Sequence, residues 1–88
     1  MRRIAGVEDF RSIFDDGDQH EVVVANGMLR SRRVITRLEE SMDSDRERYS
    51  VWSLVDDSEE ECSLQDLLLD ADSPLGKALK NGALFLDD

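Results

Sequence analysis

Glu21-Val22-Val23-Val24-Ala25 is a short β-branched run that ends on Asn26-Gly27. No other stretch of this chain constrains its fold as tightly. Valine is stiff at χ1 and favours extended backbone, and Asn-Gly reaches the positive φ that a two-residue hairpin turn requires. The pattern predicts a hairpin in which Ala25 faces Met28, Val24 faces Leu29, Val23 faces Arg30, Val22 faces Ser31 and Glu21 faces Arg32. Val22, Val24 and Leu29 then share the core side. Glu21, Arg30 and Arg32 share the other, where Glu21 can pair with Arg32 across the ladder. Past Ser31 the alternation slips, because Arg33 falls on the core side and Val34 adjoins Ile35. A bulge near Arg32-Arg33 is therefore expected.

The remaining elements follow from periodicity and caps. Val7, Phe10, Ile13 and Phe14 recur at helical spacing, which predicts a helix over residues 6–15 stopped by Gly17. Residues 39–45 are polar and unpatterned and read as an exposed loop. Arg48 to Val55, with Tyr49, Val51 and Trp52, reads as a third strand paired with the one ending at Leu38. Asp56 to Glu61 reads as an acidic turn. Ser63 followed by Asp66 resembles a capping box ahead of Leu64, Leu67 and Leu68, and Asp66 and Asp70 then line one helix face at i, i+4. Ser73-Pro74 restarts a helix that Gly82 ends, and Ala83-Leu84-Phe85-Leu86 reads as an edge strand. The expectation is one α+β domain over residues 1–88. It has a three-stranded antiparallel meander, helices packed on one face, and the order α-β-β-β-α-α-β. A chain of this length buries only about 60–65% of its unfolded surface, which leaves room for support from a partner or a homodimer interface.

The charges are split between the two halves. Residues 1–38 carry seven basic and six acidic side chains, net +1, and residues 39–88 carry four basic and fifteen acidic, net −11. From Tyr49 to Gly76 there is no Lys or Arg at all. A one-sign field of this kind attracts a basic surface and repels nucleic acid and anionic membrane.

Chemical motifs are few. Asp43-Ser44-Asp45-Arg46-Glu47 starts like a calcium loop, but position six is Arg48 rather than Gly and position twelve is Leu54 rather than Glu. Gly76-Lys77 lacks the rest of a phosphate loop. His20 has no neighbouring Cys or second His, and Cys62 is alone, so neither a metal site nor an intrachain disulfide is expected. The chain reads as a non-enzymatic protein without cofactor. A free thiol, no apolar run of membrane length, and a basic start that turns acidic at Glu8-Asp9 before any apolar leader core point to the cytoplasm.

Two surfaces survive as candidates. The first is acidic: Asp56, Asp57, Glu59, Glu60, Glu61, Asp66 and Asp70, closely set carboxylates of the kind needed to imitate a nucleic acid. The second is Arg30, Arg32, Arg33 and Arg37 on one strand, either a phosphate-gripping ribbon or a polar strand face neutralised by the acidic half. A third possibility is a small adaptor that binds through Trp52, Tyr49 and Phe85, since large aromatics dominate interface energetics.

A small, acidic, cysteine-poor and motif-free chain resembles the phage-encoded anti-CRISPR and anti-restriction inhibitors. Val55-Asp56-Asp57-Ser58-Glu59 through Leu75-Gly76-Lys77-Ala78-Leu79-Lys80-Asn81-Gly82-Ala83-Leu84 is also similar to the tails of small phage and prophage proteins. What the resemblance implies is a target: a basic host nucleic-acid machine such as a CRISPR effector or a restriction complex, met in the host cytoplasm. Arg30, Arg32, Arg33 and Trp52 would make secondary contacts.

Overall fold

The computed structural model describes residues 1–38 and 47–87. The chain runs β1 (Arg2–Arg3), α1 (Val7–Ile13), a 3-10 turn (Phe14–Asp16), β2 (His20–Asn26), β3 (Leu29–Leu38), β4 (Arg48–Ser53) and β5 (Ser58–Ser63). A π-helical turn (Gln65–Leu69), α2 (Pro74–Lys80) and β6 (Leu84–Asp87) complete it. The expected loop at 39–45 lies outside the described residues. All six strands form one antiparallel sheet in the order β1-β6-β2-β3-β4-β5. The α+β class holds, but the sheet has six strands where three in a meander were expected.

The valine run forms its hairpin in a different register. Asn26 pairs with Leu29, Val24 with Ser31 and Val22 with Arg33, so the turn is Gly27-Met28 rather than Asn26-Gly27. Gly27 has φ +63° and Met28 stays out of the positive region, as a turn with glycine in its first central position requires. Against expectation, each β2 residue meets a β3 residue two places further on. Two residues is the pleat period, so the faces are conserved while the partners change. Leu29 pays for the shift: it sits beside the turn and is 76% exposed instead of joining the core. The ladder then continues unbroken to His20 opposite Ile35, with no bulge at Arg32-Arg33. None is needed, because Val34 belongs on the open face.

One face of the sheet carries Val22, Ile35, Tyr49, Val51, Leu84 and Leu86, and everything helical packs there. Phe10 of α1 and Phe14 of the following turn meet Tyr49 with ring centroids 5.6 and 6.0 Å apart, edge-on. Leu67 and Leu68 of the π-helical turn and Leu75 and Ala78 of α2 close the other end. Among the described residues the opposite face, with Glu21, Val23, Arg32, Val34, Trp52 and Phe85, is covered by no helix, although Val23 is itself fully buried there.

Local signals set the helix ends. Gly17 at φ +76° stops the first helical segment and Gly82 at φ +69° follows the second. Ser73 caps α2 by accepting the Gly76 N–H at 3.1 Å, while its own hydroxyl donates to the Leu67 carbonyl. Two further expectations are corrected. The segment around Leu84 is an interior strand, because β6 pairs with both β1 and β2 and buries Leu84 and Leu86. The supposed acidic turn at 56–61 is a tight reversal followed by a true strand, and β5 is the edge of the sheet.

Charge also enters the core. Glu47, with a side chain 3% exposed, accepts from Arg11 Nε at 3.0 and 3.2 Å and from the Tyr49 hydroxyl at 2.9 Å, and Arg37 Nη2 stands 3.9 Å away. Burial pushes this carboxyl up, but the bonds from Arg11 and Tyr49 and the charges of Arg11 and Arg37 outweigh it and hold the group below the usual glutamate range. Tyr49 is displaced the opposite way, by burial first and then by its bond to the carboxylate. A phenol held protonated beside a carboxylate held ionised is a clamp joining α1 to β4.

Candidate functional site

The acidic residues gather around β5. Asp56 and Asp57 form the reversal between β4 and β5. Asp56 Oδ1 accepts both the N–H (3.2 Å) and the hydroxyl (2.7 Å) of Ser58. These two bonds, hydroxyl first, hold its carboxyl below the usual aspartate range. Asp57 takes φ +55°, the one non-glycine residue with positive φ among the described residues, and accepts from Trp52 Nε1 at 2.8 Å. Aspartate tolerates that conformation better than most side chains, because it can bond locally.

Strand geometry then divides the glutamates. Trp52 pairs with Glu59 and Ser50 with Glu61, so Glu59 and Glu61 project from the open face beside the tryptophan. The Ser50 hydroxyl donates to Glu59 at 2.9 Å. Glu60 pairs with Val51 and faces the helix side, where Arg33 and Asp66 help line a cleft of about 400 Å³ between β5 and the segment that follows it. Cys62 lines the same cleft. Burial first, then the negative charges of Glu60 and Asp66, raise its thiol pKa, which is unfavourable for a reactive thiolate.

Asp66 and Asp70 do not form the expected helix face. Ser63 does cap this segment, its Oγ accepting the Asp66 N–H at 3.2 Å, but the turn is π-helical and lasts only to Leu69. Asp70 is already extended, with ψ 134°, and its carboxylate accepts the Asp72 N–H at 3.0 Å. The seven acids are all exposed. Three lie in β5 itself on alternating faces, two in the reversal before it and two in the segment after it, instead of lying in one row.

Pairing separates these acids from most of the rest, Asp18 and Asp72 being the other described acids without an ion pair. Asp9, Asp15, Glu21, Glu47 and Asp87 each contact an arginine, Glu8 contacts Arg11, and Asp16 contacts His20 at 2.9 Å. Among the described residues, none of Asp56, Asp57, Glu59, Glu60, Glu61, Asp66 and Asp70 has a basic side chain within 4.0 Å. The fold spends its arginines elsewhere. Arg32 bonds Glu21 (3.3 Å) and Asp87, and Arg37 bonds Asp15 (3.2 Å). The arginine strand is also divided by its pleat, with Arg30 and Arg32 on the open face and Arg33 on the helix side.

The aromatic candidates separate as well. Tyr49 is fully buried and is removed from any surface. Trp52 is 41% exposed, and Leu54 and Val55 beside it, which no motif had singled out, are 40% and 81% exposed. Trp52 thus stands within the acidic patch, bonded to one of its members and opposite another. Trp52→Ala should leave the fold standing, because its ring faces the side that no helix covers. We expect a melting temperature within a few degrees of the parent, about 1 kcal/mol or less, checked by thermal melt.

Among the described residues no group of three or more His, Cys, Asp or Glu is placed to hold a metal ion, and no helix is long and apolar enough to cross a membrane. No family model matches this chain, and neither a curated protein nor a solved structure matches it.

Proposed function

We propose that this protein is a non-enzymatic inhibitor whose acidic β5 side covers the basic, nucleic-acid-binding surface of another protein. One observation carries the reading: among the described residues the acids around β5 have no basic side chain within 4.0 Å, while most of the acids elsewhere are matched to one. Unpaired exposed carboxylates cost little in water and are free to meet a partner's cations, which speeds encounter and selects against acidic partners. Arg32 and Arg37 are already bonded to carboxylates, so the arginine strand offers phosphates less than its sequence suggests. The resemblance to phage-encoded inhibitors supplies the target class, a CRISPR effector or restriction complex in a host cytoplasm.

A second reading has its own support. Trp52, Leu54 and Val55 are three exposed apolar residues within four positions of the chain, which suits a small adaptor, and Trp52 is bonded to Asp57 and opposite Glu59, an aromatic side chain beside charged ones. Salt separates the two.

Used as bait in a bacterial lysate, the chain should retain basic nucleic-acid-binding proteins. The combined Asp57→Asn, Glu59→Gln, Glu61→Gln chain keeps the acceptors for Trp52 and Ser50 but loses three charges. Its affinity for the retained protein should fall at least tenfold, roughly 1.4 kcal/mol. Raising ionic strength from about 0.05 to 0.3 M should have a similar effect, because screening shortens to less than the width of the patch. A retained protein that is not basic, or an unchanged affinity in the neutralised chain, refutes the inhibitor reading. Salt-insensitive binding lost on Trp52→Ala selects the adaptor.

A further inference from the structure

We infer that β5 binds its partner by strand addition, taking a basic extended segment as a seventh strand of the sheet. The inference rests on the reading above that the acidic side meets a basic protein, and it adds the mode of contact.

The edge is open for pairing. Among the described residues β5 is hydrogen-bonded to β4 only. The Leu64 N–H donates to the Glu47 carbonyl at 2.9 Å, which identifies residues 47 and 64 as a hydrogen-bonded pair. Hydrogen-bonded and non-bonded pairs alternate in an antiparallel ladder. Tyr49 with Cys62 and Val51 with Glu60 are therefore the bonded pairs, and the backbone N–H and C=O groups of Glu59 and Glu61 point away from β4. No bond to those groups occurs among the described residues.

Natural edges are usually protected by lysine, proline, a bulge or a cover. β5 has no proline or lysine and pairs without a bulge over its whole length. Among the described residues its one protection is negative charge, and that protection is selective. Two copies joined edge to edge would set glutamates against glutamates, which is unfavourable on directly opposed strands. Nucleic acid meets the same repulsion. A strand with Lys or Arg at every second position instead places its cations beside Glu59 and Glu61 on the open face while its backbone completes the ladder. Backbone bonds supply affinity in this mode, and the alternating side chains supply choice of partner.

The probe is a ten-residue peptide that alternates lysine with valine or threonine, with a second version N-methylated at alternate amides. Titrated at low salt into the intact chain, the first should bind and slow exchange of the Glu59 and Glu61 amides at least tenfold. N-methylation, or Glu61→Pro compared with the equally charged Glu61→Thr, should weaken binding about tenfold or more. Proline is tolerated here because the N–H it removes faces outward. If that variant fails to fold, the methylated peptide decides alone. Binding without amide protection, or equal binding by the methylated peptide, overturns strand addition and leaves the acidic-surface reading intact. No binding by either peptide overturns both. A chain that dimerises with Glu59 and Glu61 protected in the absence of peptide makes the occupant a second copy, and the inference is then wrong.

Discussion

The Glu47→Ala chain should unfold about 2–3 kcal/mol more readily than the parent, a fall in melting temperature of roughly 10–20 °C for a domain of this size. The carboxylate is almost fully buried and is the acceptor for a tyrosine hydroxyl whose ring has no exposure. Removing it leaves that hydroxyl unsatisfied in the core, beside the seat of Phe10 and Phe14. Arg11 and Arg37 also lose a partner, but both reach solvent and can turn outward, so the loss is smaller than for a fully enclosed ion pair. Glu47→Gln keeps an acceptor for Tyr49 and should lie between the two.

The pH dependence has a definite sign. The carboxyl is held below its ordinary value of 4.5, so its contribution is complete above that value and is lost as pH falls through the depressed folded value. Asp9 and Asp16 are displaced in the same direction, each chiefly by a backbone N–H, of Ala5 and Asp18 respectively, so acid destabilises the chain through several groups at once. Glu47→Gln should flatten the acid limb of a stability–pH curve relative to the parent. Equal limbs, or an Ala variant melting with the parent, would show that the clamp contributes nothing.

The second large effect is at Gly76, and its direction runs against helix propensity. Glycine inside a helix is ordinarily about 1 kcal/mol worse than alanine, so adding a side chain should stabilise. A Cβ at Gly76 would stand 2.3 Å from the Leu68 carbonyl oxygen and 3.1 Å from its carbon. These are backbone atoms of the π-helical turn and cannot rotate aside. To accept a side chain, α2 must lift from the turn and loosen Leu75 and Ala78. Gly76→Val should therefore cost about 2–3 kcal/mol, and Gly76→Ala somewhat less, by urea unfolding. Gly6→Ala is the control: its backbone is extended and nothing lies within 4 Å of the added carbon, so the change should stay within about 0.5 kcal/mol. A stabilised Gly76→Ala would mean that α2 does not press on the turn.

Elements governed by local rules were legible from residues alone. The first helix and its Gly17 stop, and α2 with Ser73-Pro74 in front and Gly82 behind, depend on caps, positive φ and short-range periodicity, and the pairing of β3 with β4 was legible because the two strands are consecutive. β5 was illegible because Glu59-Glu60-Glu61 has poor strand propensity. It is a strand because β4 offers a complete ladder and an edge keeps carboxylates hydrated on either face. β6 looked like an edge because four apolar residues at a terminus do not reveal that a two-residue strand from the other end lies outside them. Glu47 was hidden in a charged stretch. Its partner Arg11 is 36 residues away, and no spacing rule spans that distance.

By itself the sequence determined the sign and amount of charge on the second half, the presence of a β2–β3 hairpin though not its register, the stops at Gly17 and Gly82, and the α+β class, since each depends on composition or on neighbours within a few residues. Tertiary structure alone decided which of the acids remain unpaired, because that depends on which arginines the packing consumes. It also decided that Tyr49 is core while Trp52 is surface, since alternation along a strand separates odd from even but does not say which side the helices cover. The union of Trp52 with Asp57 and Glu59 in one patch is likewise a product of β4 pairing with β5, a register that only the assembled sheet defines.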